Sequence, residues 1–171
     1  RVNTTNTTLD ETLTLGTRTI AIKFGEAERT TFAISVSGAS LNIGDFVTIE
    51  GDVAISGGVF AGDCLTIFLG RGPARMANGD LNPLAVGVLI TSARVGLVKV
   101  GETYAVFATG TVQLVGLAGV TLTGTVTLHF NNTGDDVDRL IEIPGSTGPG
   151  VRVTVGDGVT SFKVTGGTLA V

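Results

Sequence analysis

From Val120 to Gly134 the chain reads VTLTGTVTLHFNNTG, with Thr121, Thr123, Thr125 and Thr127 at every second position and Leu122, Val126 and Leu128 between them. A period of two puts successive side chains on opposite faces of a pleated strand. This stretch therefore predicts a strand with a solvated threonine face and a Val, Leu and Phe face that builds a core. Threonine suits that outer face because its branched Cβ is stiff and fits the pleat. The same alternation returns about every ten residues between turn residues, the spacing of an antiparallel all-β chain.

The runs that satisfy it are 9–15, 19–24, 31–37, 41–50, 52–60, 64–69, 84–91, 94–100, 103–115, 120–130, 137–143, 151–155 and 160–171. No window keeps an apolar repeat of 3.6 residues, so no helix is required. The longest irregular segment, GRGPARMANGDLNP from Gly70 to Pro83, reads as a surface loop. Sandwich, solenoid and open curved sheet all satisfy this alternation. An elongated antiparallel β-meander is the preferred architecture.

Composition narrows the functional classes. Apolar residues make up 43% and charged residues 15%, which excludes a disordered tail. With 11 Lys and Arg against 15 Asp and Glu, and no basic cluster, there is no footprint for nucleic acid. No apolar run approaches the roughly 20 residues of a membrane-spanning helix. The chain opens at Arg1 with neither Met nor a signal sequence, which reads as a piece excised or processed from something longer. Cys64, the only cysteine, sits where alternation predicts a small buried residue.

The end of the chain repeats its beginning. Asn3, Thr5, Asp10, Val36, Gly38 and Leu41 recur 128 positions on as Asn131, Thr133, Asp138, Val164, Gly166 and Leu169. Between these anchors Ile20, Ile22 and Phe24 match Val151, Val153 and Val155 at an interval longer by three, so an insertion before that strand is offset by a shorter loop after it. This divides the chain into residues 1–43, the last third of one repeat; 44–128, the body; and 129–171, the equivalent third of the next. Physically it is one continuous β unit of a tandem array.

The runs VGLAGVTLTGTVTLHFNNTG, RVNTTN, DFVTIEGDVAIS and GVLITSARVGLVKV resemble a repeat of very long, poorly characterised bacterial secreted and cell-surface proteins. In that family a segment of the type VGLxGLTLSGTLxVRVNTTG recurs, sometimes beside calcium-binding or cadherin-like modules. The resemblance covers nearly the whole chain and departs at Leu128, His129, Phe130 and the Gly70 to Pro83 loop. It implies extracellular scaffolding or adhesion, and the matched ends predict a repeat unit of a fibre, stalk or giant adhesin whose terminal strands pair with copies of itself or with adjacent repeats. It supplies no catalytic residues, and no enzyme is expected.

Few residues are candidates for chemistry. His129 is the only histidine, on the threonine face, without the partners a metal site or a catalytic relay needs. Carboxylates and amides gather at Asp135, Asp136 and Asp138, and at Asn78, Asp80 and Asn82, with Asp45, Asp52, Asp63 and Asp157 single. The two clusters are the candidate calcium sites, since calcium takes six to eight oxygen ligands. Asp and Asn beside Gly are also ordinary turn chemistry. Arg71 and Arg75, in GRGPAR, are candidates for gripping a phosphate or a glycan carboxylate, with a solvated loop tip as the plainer reading.

Overall fold

A computed structural model describes residues 1–43, 47–73, 75–80, 82–146 and 148–170. The chain is all-β, 69% strand and 2% helix. Among the described residues twelve strands follow in order: β1 (Val2–Asn3), β2 (Leu9–Leu15), β3 (Arg18–Phe24), β4 (Thr31–Ile43), β5 (Val47–Ser56), β6 (Val59–Arg71), β7 (Val86–Val100), β8 (Thr103–Val115), β9 (Thr121–Asn131), β10 (Val137–Ile141), β11 (Val151–Val155) and β12 (Thr160–Ala170). One 3₁₀ turn, Glu26–Glu28, precedes β4. An eight-stranded antiparallel sheet runs β1-β4-β5-β6-β7-β8-β9-β12, while β2 with β3 and β10 with β11 form separate hairpins. From β4 to β9 the sheet is a meander of neighbours in sequence.

Two expected strands are redrawn. The run 41–50 is divided between β4 and β5, and the run 52–60 breaks at Gly57 and Gly58, both left-handed, between β5 and β6. Two adjacent left-handed residues fit a tight hairpin turn, and apolar alternation on both sides hides it from a pattern search. Conversely 84–91 and 94–100 form one strand, β7, interrupted only by an irregularity between Thr91 and Arg94.

That irregularity belongs to a line of them. Register shifts fall between Val36 and Ala39 in β4, Glu50 and Asp52 in β5, Gly62 and Leu65 in β6, Thr91 and Arg94 in β7, and Thr165 and Thr168 in β12. Gly38, Gly51, Cys64, Ser92 and Gly166 take positive φ there. Each extra residue bends its strand, and bulges aligned across neighbours crease the sheet. Cys64 is consequently exposed instead of buried, because the bulge turns its side chain out of the alternation. Along the crease Leu65 and Ala93 are buried. Glycines make room for them: a Cβ on Gly62 would meet Leu65 Cδ1 at 2.7 Å, and one on Gly110 would meet Ala93 Cβ at 3.1 Å.

The two faces are not equal, and they correct the expectation from alternation. One face carries the cross-strand row Ser35, Ala54, Ala61, Gly96, Phe107, His129 and Ser161, and beside it Ala33, Ser56, Val59, Val98, Ala105 and Asn131. Hairpin β10–β11 lies on this face, and Ala54, Ala61, Val98 and Ala105 form one buried cluster with Ile141, Ile143, Val151, Val153 and Val155. Small residues let the hairpin approach closely. A Cβ on Gly96 would come within 2.4 Å of Val153 Cγ2. A smaller cluster of Phe68, Ala85 and Leu89, with Val115 against it, lies across the crease.

The threonines continue this same face. Alternation along β9 places Thr127, Thr125 and Thr123 in line with His129, beyond the reach of the hairpin, and Thr123 and Thr125 are exposed. The Val, Leu and Phe face, carrying Ile34, Ile55, Phe60, Leu97, Val106 and Phe130, is the other one, and no described element covers it. Ile34, Ile55 and Phe162 are exposed there. The best-packed core thus sits on the threonine side, under a hairpin.

Candidate functional site

The features that set this molecule apart from a closed domain lie at its two ends. At the C-terminal end β9 leads through Asn131 into β10–β11, and the chain returns as β12 along β9. At the N-terminal end β1 leads through Asn3 into β2–β3, and the chain returns as β4 along β1. The registers agree: Phe130 pairs with Thr160, and Val2 pairs with Phe32, 128 positions earlier in both strands.

The two asparagines make three equivalent bonds, and each spends its second amide hydrogen on a carbonyl further along, at different places in the two ends. Asn131 Nδ2 donates to the carbonyls of Asp135 and Val155, both at 2.9 Å, and its Oδ1 accepts from Thr133 N at 2.9 Å and Thr133 Oγ1 at 2.8 Å. Asn3 Nδ2 donates to the carbonyls of Thr7 at 2.9 Å and Glu28 at 3.1 Å, while its Oδ1 accepts from Thr5 N at 3.0 Å and Thr5 Oγ1 at 2.8 Å. Both side chains are buried. A buried amide with all four contacts satisfied fixes the corner at which a strand becomes a hairpin. The Asn-x-Thr spacing is visible in the sequence, but the carbonyls it joins are not.

What differs is the seat. Val151 and Val153 are 0% exposed against the small-residue platform of β5 to β8. Among the described residues no strand packs beneath their counterparts on β2–β3: Ile20 is 49% exposed and Ile22 half-buried, with Leu13 beside them 50% exposed. At the other end β12 is a free edge, with Phe162, Val164 and Leu169 exposed, whereas β4 is flanked by β5. Gly38 in β4 donates its N–H to Asp52 Oδ1 of β5 at 2.9 Å, and this bond, with help from Ser146, holds the Asp52 carboxyl below its ordinary pKa. Gly166, with the same φ near +61°, has no β5 beside it.

Arg94 and Asp63 lock the seated hairpin. Arg94 Nε donates to Asp63 Oδ1 at 3.1 Å, and its Nη2 reaches the carbonyl of Gly150 at the start of β11. Asp63 is buried, and Oδ1 also accepts from Cys64 N at 2.9 Å. Its Oδ2 has no partner among the described residues and faces Gly148. Sequence reading passed over this pair because 31 residues separate its members.

Several of the candidate ligand side chains bond within the protein itself. Asp138, on β10, accepts from Arg152 Nε at 2.7 Å and Thr154 Oγ1 at 2.9 Å, and Arg152 holds its carboxyl below the usual range. Asp136 Oδ1 accepts from Asp157 N at 2.8 Å, and the Asp135 carbonyl serves Asn131. Asn78 and Asp80 bond each other across a turn, and Asn82 ties Pro73 to Leu84. Arg75 pairs with Glu50 at 2.8 Å and donates to Gly79, and Arg71 ends β6. Asp45 lies outside the described residues. Among the described residues no three His, Cys, Asp or Glu are grouped to hold a metal. His129 is half-buried, its ring 5.3 Å from that of Phe107.

No family model, curated protein or solved structure matches this chain. The fold defines an all-β meander with one seated and one unseated hairpin.

Proposed function

We propose that the chain is a structural unit of a tandem array, an extracellular fibre, stalk or giant surface adhesin, in which the sheet of one unit runs on into the next. The observation that carries this reading is the pair of matching ends. Residues 1–43 and 129–171 share strand register, asparagine corner and left-handed glycine bulge. Yet among the described residues no strand packs under the hairpin of the first copy, and none pairs with the outer edge of the second. Each missing partner is what another unit of the same kind contains. A repeat that buries its apolar surface only against its neighbours is the energetic signature of such arrays. The resemblance of VGLAGVTLTGTVTLHFNNTG to bacterial surface repeats points the same way.

The sheet arrangement gives the array a dimension. One repeat contributes six strands, β4 to β9, so at roughly 4.8 Å between strands each unit adds about 29 Å along the sheet. The test is a chain in which residues 1–128 occur two or three times before residues 129–171. Rods that lengthen by this step in small-angle scattering or electron micrographs support the proposal. Particles that behave as separate compact beads on a flexible string sink it.

A further inference from the structure

We infer that the uncovered Val, Leu, Ile and Phe face of β5 to β9 is the seat of a second copy of this chain, the two sheets packing face to face about a two-fold axis that runs across the strands. The inference concerns the middle of the sheet and goes beyond the array reading, which concerns its ends.

Charge is sorted away from this face. Of the charged residues in β5 to β9, Glu50, Asp52, Asp63 and Arg94 stand on the hairpin side. Only Arg71 and Lys99 share the uncovered side, at opposite ends of the strands. With strands about 4.8 Å apart and about ten residues of roughly 3.3 Å each, the five strands present about 800 Å², the share each partner brings to a stable interface.

The relief of the face identifies the partner. One cross-strand row is high: Phe60, Leu97, Val106 and Phe130. Next along each strand comes the row Gly62, Val95, Ala108 and Leu128, and then the crease row Leu65, Ala93, Gly110 and Val126. Leu65 and Ala93 are 3% and 2% exposed although no described element lies over them, so this side is the inside of the bend. A hollow of about 190 Å³ opens there between Ile67 and Ile90 on one flank and Val95 and Ala108 on the other.

High and low rows thus flank the Ala108 row at equal spacing. A half-turn about that row lays the high row of each copy along the low row of the other: Leu97 over Ala93, Val106 over Gly110, Phe130 over Val126. Two facing sheets form a core about 10 Å thick from interdigitated side chains, and large against small is what close packing requires. The hairpins β10–β11 stay on the outer faces, and both sheets still run in the same direction, so an array repeats the contact in every unit. A lipid surface has no relief to match, and it favours a cationic rim with Trp, of which this chain has none.

Sedimentation equilibrium of the chain tests the inference, under reducing conditions because Cys64 is exposed. The chain should form a dimer and stop there, since a half-turn closes on itself. Val106→Asp buries a carboxylate against the partner's low row and should weaken the dimer by about 100-fold or more. Thr125→Asp, on the opposite face and exposed, should leave it unchanged. If Val106→Asp does not fold, as urea unfolding would show, Ile55→Asp reads the same contact from the end of the high row, where Ile55 is 48% exposed. A chain that stays monomeric up to about 1 mM overturns the inference, and so do oligomers indifferent to these charges. Phosphatidylcholine vesicles that bind the chain while it remains monomeric assign the face to lipid and overturn it too. In concatenated chains, face pairing doubles the rod's cross-section while the array sets its length, so either reading can fail alone.

Discussion

Hairpins β2–β3 and β10–β11 carry matching alternation, leave matching asparagine corners and return into matching bulged strands, but they meet different surroundings. Under β10–β11 lie Ala54, Ala61, Gly96 and Ala105, and three valines disappear from solvent. Under β2–β3 lies no described element, and side chains at least as large remain half in water. At about 1.5–3 kcal/mol for each fully buried aliphatic side chain, the seat and not the hairpin's own sequence separates a core from a loose flap. A hairpin alone is marginal in water, so β2–β3 should be the least protected part of the molecule.

The largest break in this comparison comes from a charge at equivalent positions. Val153→Asp places a carboxylate in the dry cluster and should lower stability by about 3–5 kcal/mol, whereas Ile22→Asp should change it by less than about 1 kcal/mol. Urea unfolding of the two variants measures the contrast; equal losses would mean that β2–β3 has a seat of its own.

The asparagine corners come next. Asn131→Ala leaves Thr133 N and the buried Val155 carbonyl without their partner and should cost about 2 kcal/mol in global stability. Asn3→Ala unties the matching corner but should leave Tm nearly unchanged, speeding amide exchange only in residues 1–30, because that corner supports a part that opens on its own.

A smaller effect tests the bulges. Gly38 and Gly166 hold φ of +62° and +61°, and a Cβ would meet nothing within 4 Å of either, so the cost of Ala is purely conformational, about 1 kcal/mol. Gly38→Ala should show it in full by calorimetry, since β4 is paired along its bulge with β5. Gly166→Ala should show less, because β12 is an edge.

The smallest effect is acid sensitivity. The Asp52 and Asp138 carboxyls lie below the ordinary value of 3.8, held there first by the Gly38 N–H and by Arg152 respectively. A depressed folded pKa gives stability that is complete above the unfolded value and is lost as pH falls through the folded one. Tm should therefore be flat above that range and fall below about pH 3.8, and Asp138→Asn should remove a small part of that slope; an unchanged acid limb in Asp52→Asn, Asp138→Asn would refute the assignment.

Much of the strand layout follows from the residues alone, since alternation and turn glycines are local: β2, β3, β8, β9, β10, β11 and β12 begin and end within two residues of their apolar runs. The likeness of the two ends was legible because Asn3, Gly38 and Leu41 recur at one interval as Asn131, Gly166 and Leu169. Arg94 with Asp63 was not legible, because a contact between distant strands leaves no trace in either neighbourhood.

What the sequence determined by itself, then, is period, turn and recurrence, because these depend on residues next to one another. Which face became the core was decided only in three dimensions. Period two separates Thr127 from Leu128 but does not say which side another element will cover. Here a row of alanines and a glycine drew the hairpin onto the threonine side, because close approach needs small residues there. The same reason exposes Cys64 and bends the sheet: a bulge shifts the alternation by one, and its consequences appear only when several bulged strands lie side by side.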